Sequence, residues 1–138
     1  MKLINFKILN KMFTFIGFSI SVEDFVEVCK SHFPDFQSDF DNFYVEWKKE
    51  NKCEDTTFAY SDFFTDKFYI SLAKKFGNGI QISDWKDYKN LFIGYPLLTC
   101  TSNQQTSIKF TEVVNFSNKV ENLIKELGIT KDVELGHE

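Results

Sequence analysis

Arginine is absent from this 138-residue chain: all 16 basic residues are lysine. Without a guanidinium there is no bidentate clamp for phosphate or carboxylate, no arginine finger, and no usual reader of guanine edges. Lysine binds phosphate as a point charge, but no dense lysine run occurs and the net charge is −4. Direct nucleic-acid binding is therefore disfavoured. Many phenylalanines with no arginine is also what an AT-rich gene encodes, and the physical consequences are the same. Cysteine is scarce: Cys29, Cys53 and Cys100 make an odd number, which argues against a disulfide framework and for a reducing, cytoplasmic setting. With 6 Gly and 2 Pro the chain has little punctuation, and neither repeats nor a low-complexity linker divide it. The longest uncharged stretches, 12–22 and the interior of 90–109, are broken by polar, Gly or Pro residues, so no membrane-spanning helix is expected. Lys2, Asn5 and Lys7 interrupt the first apolar run, and no signal peptide is expected. The Asn115-Phe116-Ser117 sequon carries no meaning in a cytoplasmic protein.

What is present is a single domain's worth of apolar residues, 43% of the chain, enough for a core without staples. The charge is uneven. Residues 1–20 carry +3, residues 21–66 carry −8 from 12 acids against 4 lysines, and residues 67–138 carry +1. One third of the chain thus holds the whole acidic excess.

Residues 1–20 alternate in hydrophobicity: Ile4, Phe6 and Ile8, then Phe13 and Phe15. This predicts a β-hairpin turning at Asn10-Lys11, with a bulge at Gly17. Met12 offers a second start that would remove the first strand. Ser21 reads as a helix cap with Asp24 as its reciprocal partner, opening a helix over 22–33 whose stripe is Val22, Phe25, Val26, Cys29 and Phe33. Pro34 ends it. A second helix is expected over 35–50, with Phe36, Phe40, Phe43, Tyr44 and Trp47 on one arc. Asp35, Asp39, Glu46 and Glu50 fall on the adjoining arc, at about 0°, 40°, 20° and 60° around the axis.

Residues 51–60 read as a loop. In 61–76, Phe64, Phe68, Leu72 and Phe76 recur every fourth residue, suiting a helix over 62–76, while Phe68, Ile70 and Leu72 alternate like a strand. Length and the terminal Lys74-Lys75 favour the helix. Further on, the pattern predicts a short strand at Ile80-Gln81-Ile82 and a brief helix capped by Ser83 with Trp85, Tyr88 and Phe92 inward. Strands over 91–101 and 107–114 follow, joined by a polar turn over 101–106. A last helix over 117–127 carries Val120, Leu123, Ile124 and Leu127 on one face and a Glu121–Lys125 pair, and Gly128 stops it. Residues 129–138 read as a frayed tail. The expected fold is α+β: one helix-rich domain, 1–138, on a small, mostly antiparallel sheet.

No catalytic signature emerges. Cys29-x-x-His32 has metal-ligand spacing, but Cys53 and Cys100 stand alone, and Cys29 sits in an apolar stripe, so a core cysteine is the better reading. His137 lies near the end, which leaves His32 as the one plausible imidazole, with no orienting third group. Gly77-Asn78-Gly79 is too short for a phosphate loop. Paired-carboxylate hydrolysis is open to any acidic chain, yet nothing singles out a pair. No catalytic residue, metal or cofactor is assigned.

The acidic arc reads either as a solvated helix face or as a docking surface for a cationic partner. Its concentration favours the second, since eight excess negative charges in 46 residues repel one another without benefit to solubility. Asp24, Glu27 and Asp41 would extend the field. Tyr44 and Trp47, at the stripe's edge, are the expected partly exposed anchors.

The run Phe25-Val26-Glu27-Val28-Cys29-Lys30-Ser31-His32-Phe33-Pro34-Asp35-Phe36, followed by Asp39-Phe40, Asp41, Phe43-Tyr44 and Trp47, resembles the helix–Phe-Pro–helix openings of small bacterial toxin-immunity proteins, including those of contact-dependent growth inhibition. The likeness covers about a quarter of the chain. It implies a non-enzymatic cytoplasmic protein that binds the basic C-terminal toxin domain of its cognate effector, usually a nuclease. An acidic phage-type inhibitor that mimics nucleic acid is the alternative, and a small hydrolase the third.

Overall fold

A computed structural model describes residues 13–99 and 110–137. Strand β1 (Phe13–Ser21) leads directly into helix α1 (Val22–His32), and α2 (Phe36–Asn51) follows. Helix α3 begins as an α-helical segment, Thr56–Phe63, widens into a π-helical turn, Phe64–Phe68, and resumes as Tyr69–Phe76. The hairpin β2 (Gln81–Asp87) and β3 (Asn90–Thr99), helix α4 (Phe110–Leu127) and strand β4 (Glu134–His137) complete the described chain. The four strands form one antiparallel sheet in the order β2-β3-β1-β4. This is an α+β domain with four helices on a small antiparallel sheet.

Strand β1 holds the sheet together, pairing with β3 along its whole length and with β4 at Thr14–Gly17. Ile16, Phe18 and Ile20 point from β1 into the main core. The bulge lies between Thr14 and Phe15, beside Pro96, where the ladder needs no proline N–H. Gly17 is therefore not the bulge. It lies opposite Gly94, and the two backbones approach so closely that a Cβ on Gly17 would stand 2.0 Å from the Ile93 carbonyl oxygen.

Ser21 does cap α1: its hydroxyl accepts from Asp24 N–H at 3.1 Å. Among the described residues the reciprocal bond from the Asp24 carboxylate does not form, because aspartate is one methylene shorter than the usual glutamate. The cap orients Val22, Phe25, Val26 and Cys29 inward. Helix α2 buries Phe36, Phe40 and Trp47 against α3. Aromatic rings fill this seam: Phe36 lies 5.1 Å from Phe68 and 5.7 Å from Phe64, and Phe40 stacks on Tyr60 at 3.6 Å. Each such burial is worth about 1.5–3 kcal/mol, so the phenylalanine-rich composition serves first as core.

Several expectations need correction. The loop over 51–60 shrinks to 52–55, because Asp55 caps α3 by accepting from Phe58 N–H at 3.2 Å. The helix expected over 62–76 is real but starts at Thr56. The brief helix at Ser83 is strand β2, with Ser83 paired to Phe92. A turn at Tyr88-Lys89 wins there because the Asp87 carboxylate accepts from the backbone N–H of Lys89 (2.7 Å) and Asn90 (3.0 Å), which hold its pKa below the ordinary carboxylate range. Tyr88 is consequently in the turn, not inward, whereas Phe92 is buried. The strand over 107–114 gives way to α4 from Phe110 onward. Val113, Phe116 and Val120 continue the helical stripe backwards, overriding the β preference of Val113-Val114. The residues from 129 are not all frayed, for Glu134–His137 pairs with β1. Glu121 and Lys125 make no ion pair; among the described residues ion pairs occur at Lys30–Glu27 and Lys49–Glu46. The expected first strand, the turn at Asn10-Lys11 and the turn over 101–106 lie outside the described residues.

Candidate acidic cleft

Helix α2 places its acidic arc and its aromatic arc side by side, and the aromatic arc packs on α3. The acidic arc is left at the lip of the seam. Between the two helices runs a cleft of about 670 Å³. Asp39, Glu46 and Glu50 line it from α2, and Asp62 and Asp66 line it from α3. Phe43, Trp47, Phe63 and Phe68 form its apolar wall, with Asn42, Asn51 and Ser71 between. Among the described residues, Lys67 is the one cation lining it.

The anchor of the site is Asp62. Its Oδ2 accepts from the Trp47 indole N–H at 2.8 Å, tying α3 to α2. Burial pushes the Asp62 pKa up; the indole bond opposes the shift, while the charges of Asp66 and Asp84 add to it. A carboxyl whose pKa is raised on folding binds more protons folded than unfolded. Its stabilising contribution is present below the unfolded value and is lost as pH rises through the folded one. Asp62→Asn keeps an oxygen for the indole and removes the charge. It is expected to raise the melting temperature by about 1–2 °C at pH 7, a small effect because the carboxyl is only partly buried and water screens it. That gain should vanish on acidification below the ordinary carboxylate range; thermal melts of both proteins across pH check it.

The residues singled out from the sequence divide into groups. Asp39, Glu46 and Glu50 converge on the cleft. Asp35 stands at the N-cap position of α2, where its side chain makes no capping bond, and does not line the cleft. Asp24 and Glu27 project from α1, where Glu27 lies 3.9 Å from Lys30. Asp41 points to the opposite flank of α2 and accepts from Gln37 at 2.9 Å. Tyr44 is on that flank too, half-buried, its hydroxyl donating to the Glu54 carbonyl at 2.8 Å. Trp47, expected to be partly exposed, is 4% exposed. It sits near the middle of the aromatic arc and is held by Asp62 and by the Phe58 ring 5.4 Å away. Its role is to build the cleft wall.

Asp62 and Asp66 escaped the sequence reading. Both belong to the acidic block, but their segment wavered between helix and strand, so no face could be given to them. Their i,i+4 spacing was the available signal.

Cys29 is wholly buried in the main core, and burial raises its pKa far above the ordinary thiol value, so it stays a thiol rather than a nucleophilic thiolate. His32 is committed elsewhere: its Nε2 meets the Leu127 carbonyl at 3.0 Å, joining the C-terminal ends of α1 and α4, and Lys75 donates to the His32 carbonyl. Among the described residues no three His, Cys, Asp or Glu side chains are arranged to hold a metal, and no described helix is long and apolar enough to cross a membrane. No protein-family model, curated protein or solved structure matches the chain.

Proposed function

We propose that this chain is a non-enzymatic immunity protein that binds a basic toxin domain in the cytoplasm, a nuclease by preference, and neutralises it through the acidic face of α2 and α3. The observation that carries the reading is the α2–α3 cleft, which among the described residues is lined by five carboxylates and one lysine beside an apolar wall, with Glu46 also 3.8 Å from Lys49. Such a field attracts the lysines and arginines that a nuclease uses to hold phosphate, and it speeds encounter. The resemblance of 25–47 to toxin-immunity openings supports the same class.

Expression of the chain with its neighbouring genes, followed by purification at moderate salt and mass spectrometry, tests the reading. A basic domain should co-purify, and its nuclease activity should fall when the chain is added. An acidic partner, or a basic one whose activity is unaffected, overturns the proposal. With the partner isolated, Asp39→Lys with Glu46→Lys is expected to slow association about tenfold or more at low salt. Stopped-flow rates across ionic strength measure this; unchanged rates would place the contact on another face.

A further inference from the structure

Strand β4 lies at one end of the sheet, and among the described residues nothing pairs with its outer side. A free strand edge presents unpaired N–H and C=O groups. The inward face of β4 is uncovered as well. Leu135 stands opposite Ile16 in the antiparallel register, so the two share a face of the sheet. Ile16 is 3% exposed, whereas Leu135 is 56% exposed. Beside it a groove of about 490 Å³ opens between β4 and α4, with Val113 and Val133 on its apolar side. Among the described residues Glu121, Asp132 and Glu134 line it against one cation, Lys131, which leaves it net negative.

We propose that this groove seats the chain's own residues 3–9, added to the sheet as a fifth strand alongside β4. Three observations select this occupant. First, the hairpin that the alternation of residues 1–20 predicts has no place beside β1, because β3 and β4 already pair with both sides of Thr14–Gly17. Second, the outer side of β4 is within reach. It lies two strand spacings, about 10 Å, from β1, and residues 10–12 span about 10 Å when extended. A segment that turns there before entering β1 runs antiparallel to β1 and therefore parallel to β4. Third, pattern and charge match the groove. Ile4, Phe6 and Ile8 share one face of such a strand and would meet Leu135 and Val113. Lys2, Lys7 and Lys11, with no acid among residues 1–20, bring charge of the opposite sign. A second copy of the chain, joined edge to edge at β4, would instead bring its own Asp132 and Glu134 up to the same carboxylates.

The test uses the full chain with carbon-13-labelled methyl groups. Nuclear Overhauser contacts are expected from the Leu135 methyls to the Phe6 ring. In a mixture of labelled and unlabelled chains, filtered to show contacts between chains only, they should vanish. Ile4→Asp with Phe6→Asp should speed hydrogen exchange at least tenfold for the β4 amides that do not bond to β1. The amides between β1 and β3 should stay protected, which shows that the variant is folded. Should they lose protection too, the Leu135–Phe6 contacts of the parent chain decide alone. Absence of those contacts in the parent chain, or unchanged exchange in a folded variant, overturns the proposal. Contacts that persist between chains assign the edge to a second copy and overturn it as well. So does a β4 edge that gains protection only when a partner protein is added.

Discussion

Gly94→Ala is expected to be the most destabilising single-methyl addition to the sheet. The added methyl would stand 2.0 Å from the Ile16 carbonyl oxygen and 2.6 Å from the Gly17 Cα. Both obstacles are backbone, and β1 cannot retreat because β4 is hydrogen-bonded along its other edge. Only parting of the two central strands makes room. Relief of overpacking of this kind costs about 3 kcal/mol or more. In a domain of this size that lowers the melting temperature by roughly 10 °C or more. Gly17→Ala meets the mirror-image obstacle, the Ile93 carbonyl, and should behave alike. Thermal melts followed by circular dichroism decide it: a change under about 2 °C would mean that the strands do not approach so closely.

Phe36→Ala should have a comparable effect for the opposite reason. Phe36 is 1% exposed, and its ring lies within 6.1 Å of Tyr60, Phe63, Phe64 and Phe68. It fixes the start of α2 against the first segment of α3 and its π-helical turn. Removing it deletes the transfer energy of a buried aromatic and leaves a cavity between stiff rings that cannot close over it, a loss of about 3–5 kcal/mol. Because Asp39 follows one turn later, the cleft should loosen as well. Denaturant unfolding measures the loss, and a midpoint within error of the parent protein would show that the seam repacks.

Much of the helical architecture was legible because it is written in local periodicity. The Ser21 cap, the Pro34 stop and the aromatic and acidic arcs of 35–50 needed only the geometry of one helix. The sheet was harder. Nothing local marks Glu134–His137 as a strand, since its partner lies more than a hundred residues earlier on β1. Residues 83–87 looked helical until the Asp87 carboxylate claimed two backbone N–H groups and folded the hairpin. The candidate site was half visible for the same reason. Its α2 side follows from angles around one axis, whereas Asp62 and Asp66 belong to it only because α3 packs alongside. Trp47 was misjudged because the width of the contact between α2 and α3, not the sequence of α2, decides which edge of the aromatic arc meets solvent.

The π-helical turn at Phe64–Phe68 bears on that packing. Residues four apart drift by about 40° around an ordinary α-helix, so Phe64, Phe68 and Leu72 would gradually rotate away from a common face. The wider turn, closed by longer-range bonds, takes up the drift, and all three side chains remain buried. A π-helical turn is an α-helix that has absorbed one extra residue, so deleting one of these five positions restores α-helical pitch with the flanking segments roughly in phase, whereas deleting a residue from 69–71 swings everything after it by about 100°. Leu72 would then face water. On either side of the turn, natural selection should tolerate exchange of residues far more readily than a change in their number, whereas within it the loss of one residue is a change the helix can absorb.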